Sequence, residues 1–151
     1  NEGVFHDSET LRVSAMLNEH PPLKESYALA FEGNGKRVVF SGDTAYLPSL
    51  ADFAQGANLL IHEAMLREGI EALVARVGNG DDRLLTHLLR SHTTAADAAR
   101  IAGDADVKAL ALHHLIPSDD PDFHEQHWQD AVSSVWSGRL HVGKDGLVIP
   151  V

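Results

Sequence analysis

The sequence contains no cysteine, which excludes disulfide bonds and metal sites built from thiolates. It also lacks any apolar run of about 18 residues or more, so we expect no transmembrane helix and no membrane partner. Residues 1–7 carry neither the basic region nor the apolar region of a secretory signal peptide. Together these absences favour a cytoplasmic protein.

Basic residues are scarce, with 12 Lys and Arg against 22 Asp and Glu, and the formal net charge is -10. Broad binding to a nucleic-acid backbone depends on a basic surface, so a nucleic-acid partner is not favoured. A bound metal can still attract an anionic small-molecule substrate, because the ion dominates the local field. The length of 151 residues is enough for one globular domain with its own core.

Histidine is abundant, with ten residues in the chain. It is the commonest metal ligand and the usual acid–base group near neutral pH. Residues 38–40 form an apolar run typical of a buried strand, and Gly42 then allows a sharp turn that presents Asp43 at the end of that strand. Ligands and catalytic groups collect at this edge of α/β sheets. The pattern therefore predicts a metal site of carboxylate and imidazole ligands.

The hydrophobic pattern predicts an α/β domain with a mixed sheet flanked by helices. Gly33-Asn34-Gly35 is a hairpin turn signal, so the strands on either side of it should be antiparallel. Predicted strands cover residues 11–19, 26–32, 36–41, 58–62, 107–112, 139–142 and 147–151, the last two as a closing hairpin. Predicted helices cover residues 47–55, 66–77, 81–90, 94–103 and 123–136.

Several ionisable side chains follow predicted strands or precede a predicted helix. Each alone is more often structural than functional, but their convergence at one sheet edge points to a site. The candidates are His20, Asp43, Glu63, His92 and the pair His113-His114. We expect His62 to be a buried strand-end residue bonded to the backbone, and Trp128 and Trp136 to pack in the core.

These segments, in this order, resemble the motifs of metallo-β-lactamase-fold hydrolases, in the branch of ribonuclease Z and arylsulfatase-like enzymes. The matching segments are Ser41-Gly42-Asp43-Thr44, His62-Glu63-Ala64-Met65 (His-Glu-Ala-Thr in that branch), Ser91-His92-Thr93-Thr94 (His-Ser-Thr), His113-His114 (Thr-His), and Val13-Ser14-Ala15 followed by His20. The combination is specific, whereas each four-residue motif alone is not.

The resemblance implies a site with two zinc ions, or manganese or iron in their place, and a bridging hydroxide as nucleophile. His20 would bind one ion, Asp43 would bridge both, and His114 would bind the other. Both His113 and His114 are candidates for the last role, with His114 favoured by its spacing to Leu115-Ile116-Pro117. Glu63 and His92 resemble the pair that protonates the leaving group.

The family's His-x-His-x-Asp-His motif, which supplies four further ligands, does not occur in this sequence. We therefore expect residues 1–151 to be a single domain that forms the C-terminal portion of a longer hydrolase. Its fold would be half of a four-layer αββα sandwich. Such a half would be inactive or weakly active alone, and its exposed sheet face would favour self-association or a dimer.

The resemblance predicts hydrolysis of a phosphodiester, sulfate ester or related small ester. A narrower alternative is tRNA 3′-end processing, which is disfavoured by the acidic balance and by the short Gly33–Lys36 connection where bacterial ribonuclease Z has a long insertion. An alternative of another class is a non-catalytic α/β interaction module.

Overall fold

The computed structural model describes residues 2–77 and 83–151. Within them, the chain forms a mixed sheet whose strands lie side by side in sequence order, together with helices, as the α/β prediction requires. The strands are β1 (Gly3–Asp7), β2 (Arg12–Leu17), β3 (Tyr27–Gly33), β4 (Lys36–Phe40), β5 (Leu59–Met65), β6 (Ala109–Ile116) and β7 (Arg139–Val142). The helices are α1 (Leu50–Phe53), α2 (Arg67–Val77), α3 (Arg83–Ser91), α4 (Ala95–Asp104) and α5 (Glu125–Ser133).

The first four strands form an antiparallel meander. The turn between β3 and β4 has Asn34 and Gly35 at φ 52° and 70°, which is the two-residue geometry that Asn-Gly sequences favour. Gly33 and Lys36 are paired on either side of it. The predicted hairpin is therefore confirmed.

Strands β4 to β7 are parallel to one another, and each new strand is added on the same side of the previous one. Parallel crossovers are almost always right-handed, so successive crossovers in one direction place their helices on one face of the sheet. The main core shows this result, because residues of α1, α4 and α5 pack there against β3 to β6.

Helix α4 packs closely on the sheet because its buried face is mostly alanine, at positions 95, 98, 99 and 102. Thr94 caps its N-terminus, with its hydroxyl accepting a 3.1 Å hydrogen bond from the Asp97 backbone N–H. Trp128 is buried in the same core, and Trp136 packs against it.

The opposite face of the sheet carries a smaller apolar cluster of Leu59, Ala109 and Ala111. Val38 and Ile61 extend it as partly buried neighbours, and Ile149 from the C-terminal segment packs on it. This cluster, which we call the open-face cluster, is apolar although no helix of the main core layer covers it.

Two sequence predictions are wrong, and one strand of the structure is not among the predicted strands. Residues 147–151 do not form a strand, so the closing hairpin does not exist; β7 instead extends the parallel sheet beside β6. The helix predicted to reach Trp136 ends at Ser133. Strand β1 was not predicted because all five of its residues are exposed and leave no alternating pattern. The predicted helix stop at Gly78-Asn79-Gly80 lies outside the described residues.

Strands β5 and β6 run to Met65 and Ile116, beyond the predicted ends at 62 and 112. Parallel strands bring their carboxyl ends to one edge, so the residues that follow β4 and the ends of β5 and β6 meet there. Among the described residues, no helix is long and apolar enough to cross a bilayer.

The turn after β4 gives a test of how tightly this edge is packed. Gly42 and Gly56 have similar backbone conformations, at φ 62° and 65°, but a Cβ on Gly42 would lie 2.8 Å from the Tyr27 carbonyl whereas one on Gly56 meets no atom within 4 Å. We expect Gly56→Ala to lower the free energy of unfolding by about 1–2 kcal/mol, the cost of the conformation alone. Gly42→Ala should lower it by about 3 kcal/mol or more, because the steric clash adds to that cost. Equal losses in urea denaturation of the two variants would contradict this packing.

Candidate metal centre and acid–base pair

Asp43 and His114 face each other at the carboxyl edge of the sheet. The β5–β6 ladder pairs Glu63 with His113 and Ala64 with Leu115, so His114 is an extra residue in a bulge. Its backbone is at φ 45°, a conformation that non-glycine residues adopt rarely. This bulge places His114 Nε2 3.5 Å from Asp43 Oδ2.

The donor atoms of this pair fit a shared metal ion. Ligands bound to zinc at 2.0–2.1 Å in tetrahedral geometry lie about 3.3 Å apart, close to the observed separation. Carboxylate oxygen and imidazole nitrogen also suit manganese and iron. Within residues 2–77 and 83–151, however, no three His, Cys, Asp or Glu side chains are grouped so that they could hold an ion. Among the described residues, the pair thus offers two donor atoms at this position.

His20 lies in the loop after β2, and its Nδ1 is 2.9 Å from the Ser91 carbonyl. A carbonyl only accepts, so Nδ1 carries the proton and Nε2 keeps a lone pair for a metal. The centroid of the His20 ring lies 5.1 Å from that of His92 in an edge-on arrangement. The His92 ring in turn stacks on that of His114, with 5.6 Å between the centroids. The three imidazoles therefore form a continuous row, in which His92 stands between the two candidate ligands.

Glu63 and His92 form a buried pair, with Glu63 Oε1 3.0 Å from His92 Nδ1. Glu63 is fully buried, and the same oxygen accepts a 2.9 Å hydrogen bond from the Thr44 backbone N–H. Thr44 directly follows Asp43, so this carboxylate connects the acid–base pair to the loop that carries the candidate bridging ligand.

Burial raises the pKa of the Glu63 carboxyl, although hydrogen bonds from His92 and from the Thr44 and Thr93 backbones oppose the change. The hydrogen bond to Glu63 raises the pKa of His92, against the effect of its own burial. Each partner therefore keeps a proton to higher pH than usual. An imidazole that is oriented by a carboxylate in this way can deliver a proton in a reaction.

His62 takes the buried, backbone-bonded place that the sequence predicts, and the remaining histidines differ from it in burial. His62 is fully buried and donates from Nδ1 to the Glu63 carbonyl at 2.7 Å, and burial lowers its pKa to about 4. Burial and the neighbouring His114 lower the pKa of His113, while Asp43 opposes this. His87, His124 and His127 are exposed.

A cleft of about 1180 Å³ begins beside His113 and His114 and continues over Ile61 and Ala111 of the open-face cluster. Arg76, which forms an ion pair with Asp120, and Lys144 also line it. Its polar end is thus the candidate metal centre, and its floor is the face of the sheet opposite the main core.

Three contributors to the site were missed by sequence reasoning. Thr44 and Thr93 stand in the quoted motifs without an assigned role, yet the Thr93 hydroxyl donates to the Thr44 carbonyl at 2.7 Å. Asn18 donates from its side chain to the Ser41 and Asp43 carbonyls at 2.6 and 3.3 Å. Nothing in the pattern around Asn18 distinguishes it, because its partners are distant in sequence.

Comparison with known proteins agrees with the motifs. A family model described as a β-lactamase superfamily domain matches residues 2–115. Ribonuclease Z of Mycobacterium tuberculosis is 30% identical over 139 residues, which are 92% of this chain and 47% of the relative. The chain thus spans about half the length of that protein.

Solved structures show the same fold at lower identity. The metallo-β-lactamase fold protein YhfI from Bacillus subtilis superposes with a TM-score of 0.68 at 23% identity, over 94% of this chain and 50% of YhfI. Zinc-bound PqqB from Methylobacterium extorquens gives 0.67 at 14% identity, over 99% of this chain and 54% of PqqB. The fold is therefore that of part of these proteins.

The buried His62 predicts a pH dependence of stability. Its folded pKa of about 4 lies below the unfolded value of 6.5, so the unfolded chain binds more protons between these values. Its stabilising contribution is complete above pH 6.5 and is lost as the pH falls toward 4. Between pH 7.5 and 5, the wild type should lose about 2 kcal/mol more than His62→Gln.

Denaturant unfolding at the two pH values measures this difference. His87→Gln, the same substitution at an exposed histidine, should follow the wild type. If His62→Gln has the wild-type pH dependence, His62 is not the group that titrates.

Proposed function

The chain belongs to the metallo-β-lactamase superfamily of hydrolases, and we propose that it forms part of a dinuclear-metal enzyme that hydrolyses a phosphodiester or a related ester, such as a sulfate ester. The observation that carries the proposal is the convergence at one sheet edge of Asp43, His114 and the buried Glu63–His92 pair. The other half of the proposal, the presence of two zinc ions, rests on the donor set and on the zinc-bound neighbour PqqB.

Each residue has a distinct role in this proposal. Asp43 would bind both ions, His20 would bind one of them through Nε2, and His114 would bind the other. When bound, the ions would polarise the ester and lower the pKa of an attacking water. The assignment of His114 rather than His113 rests on its Nε2, which approaches Asp43 Oδ2.

Glu63 and His92 handle the proton of the leaving group. The Nδ1–H of His92 is held by Glu63, so its Nε2 is the atom that donates to the leaving-group oxygen as the ester bond breaks. The hydrogen bond to Glu63 raises the pKa of His92, which favours the protonated imidazole that this role requires. The buried carboxylate thus orients the imidazole and stabilises its charged form. This reactive pair favours an enzyme over a non-catalytic interaction module.

RNA is the second candidate substrate, in the form of tRNA 3′-end processing. It is favoured by the name of the relative from Mycobacterium tuberculosis, ribonuclease Z. The net charge of -10 weighs against it, because a nucleic-acid backbone binds to basic surfaces. The two-residue turn at Asn34-Gly35 also weighs against it, because it stands where bacterial ribonuclease Z has a long insertion. A small phosphodiester remains the first choice.

We also propose that residues 1–151 form the C-terminal portion of a longer hydrolase. The remaining metal ligands would then come from polypeptide outside these residues. The chain spans about half of its relative's length, and it brings together two donors rather than a closed ligand set. By itself it would be inactive or weakly active. The partly buried Val38 and Ile61 of the open-face cluster would then lack their natural cover and favour self-association.

Leaving-group dependence tests the acid–base roles in the full-length protein loaded with zinc. We expect Glu63→Gln and His92→Ala to lower kcat about 10²–10⁴-fold on a dialkyl phosphate or a dinucleotide, whose leaving groups need a proton. The loss on bis(p-nitrophenyl) phosphate should be much smaller, because nitrophenolate leaves unprotonated. His87→Ala serves as the control and should leave both rates unchanged.

An equal loss on both substrates, or no loss in the double variant of Glu63 and His92, would remove the assigned roles. Cleavage of precursor tRNA with a kcat/KM far above that for the dinucleotide would move the RNA candidate to first place.

Light scattering on the 151-residue chain tests the exposed face. We expect a particle of about twice the 16.4 kDa chain mass. Ile61→Lys places a charge in the open-face cluster and should yield a monomer. Val148→Lys, at a side chain that is 85% exposed and outside this cluster, should remain associated. A wild-type monomer would contradict the proposal.

A further inference from the structure

The two candidate ligands His20 and Asp43 stand after strands that are not neighbours. His20 follows β2 and Asp43 follows β4, and β3 lies between these strands. Strands two positions apart in a sheet are separated by about 10 Å, and no ladder hydrogen bonds join them directly. Some other contact must therefore set the distance between the two ligands.

That contact is made by the residues beside them. The Asn18 side chain donates to the carbonyls of Ser41 and Asp43 at 2.6 and 3.3 Å. Glu19 adds two hydrogen bonds to the same loop, from its N–H to the Thr44 hydroxyl at 3.1 Å and to its carbonyl from the Ala45 N–H at 2.6 Å. Of Asn18 and Glu19, only Asn18 bonds to the loop through its side chain, and its two hydrogen bonds lie on either side of the Gly42-Asp43 segment.

The orientation of the Asn18 amide is fixed by its partners. Both are backbone carbonyls, which only accept, so the NH₂ group must face them and the oxygen must point away. Asn18 is buried, and its Oδ1 has no hydrogen-bond partner among the described residues. A buried amide with an unpaired oxygen costs stability, so its contribution is better sought in the loop that it holds than in the folding energy.

The loop after β4 has no room for a side chain at position 42. A Cβ on Gly42 would lie 3.0 Å from Asn18 Nδ2 and 2.8 Å from the Tyr27 carbonyl. The Asn18 amide thus lies directly against the backbone that leads into Asp43. The side chain of Asp43 is partly exposed and faces the His114 ring. The direction in which the Asp43 carboxylate points therefore depends on how this backbone is held.

We propose that Asn18 is a positioning residue for the metal centre, whose amide sets the separation of His20 and Asp43 across the intervening strand β3. This inference rests on the proposed function, because it presumes that Asp43 binds metal. In this role Asn18 acts through the Ser41 and Asp43 carbonyls and would itself bind neither substrate nor ion.

Metal affinity in the full-length protein tests the proposal. Asn18→Leu removes both donors at similar volume, and Asn18→Ser is a smaller change that keeps the fold if Leu does not fit. Zinc dissociation constants are measured by competition with a chelating dye, and the absorption spectrum of the cobalt(II)-substituted protein reports the geometry of the ligands. We expect both variants to bind zinc about 10–100-fold more weakly, with a changed cobalt spectrum.

Val13→Ala, a truncation of a buried residue in β2 away from the loop, is the control for lost stability. It should lower the midpoint of thermal unfolding of the metal-free protein at least as much as Asn18→Ser while it leaves the zinc affinity and the cobalt spectrum unchanged. An equal loss of zinc affinity in Val13→Ala would make Asn18 merely structural and overturn the inference.

Asp43→Ala separates this inference from the proposed function. If Asp43→Ala loses zinc and the Asn18 variants bind it with wild-type affinity and spectrum, the inference fails and the metal site stands. If Asp43→Ala itself binds zinc as the wild type does, Asp43 is not a ligand, and both the proposed site and the role of Asn18 are wrong.

Discussion

The buried carboxylate of Glu63 is the group on which the candidate site depends. A charge that is removed from water must be compensated, and Glu63 Oε1 finds its partners in the Thr44 backbone and the His92 ring. These partners come from the loop after β4 and from the segment before α4. One side chain on β5 therefore holds together three parts of the chain that are distant in sequence, and it orients the imidazole of the proposed acid.

The arrangement of the helices explains the second property of the molecule, its two unlike faces. Each parallel strand is added on the same side of the sheet, so right-handed crossovers direct the helices of the main core to one face. The other face keeps an apolar cluster around Leu59, Ala109 and Ala111. The cleft beside His114 runs onto this face, so the candidate site and the exposed surface share a boundary. A second layer on this face would therefore also close the site.

Much of the fold was predictable because local rules decide it. The Asn34-Gly35 turn, the Thr94 cap and the apolar runs of β4 to β6 follow from backbone preference and periodicity over a few residues. Other features depend on partners that are distant in sequence. Strand β1 has no buried face to mark it, and β7 pairs with β6 rather than with residues 147–151, because the sheet edge offers a partner that the local pattern does not reveal.

For the site, the sequence by itself determined which side chains are available and the order in which they follow strands: His20, Asp43, Glu63, His92 and His114. It did so because short motifs at strand ends are local. Only the tertiary structure decided how these groups meet. The Glu63–His92 hydrogen bond and the hydrogen bonds of Asn18 to the Asp43 loop join residues 23 to 29 positions apart. The bulge at His114 depends on the backbone conformation of one residue. Such contacts are set by the packing of the whole sheet, which no local pattern encodes.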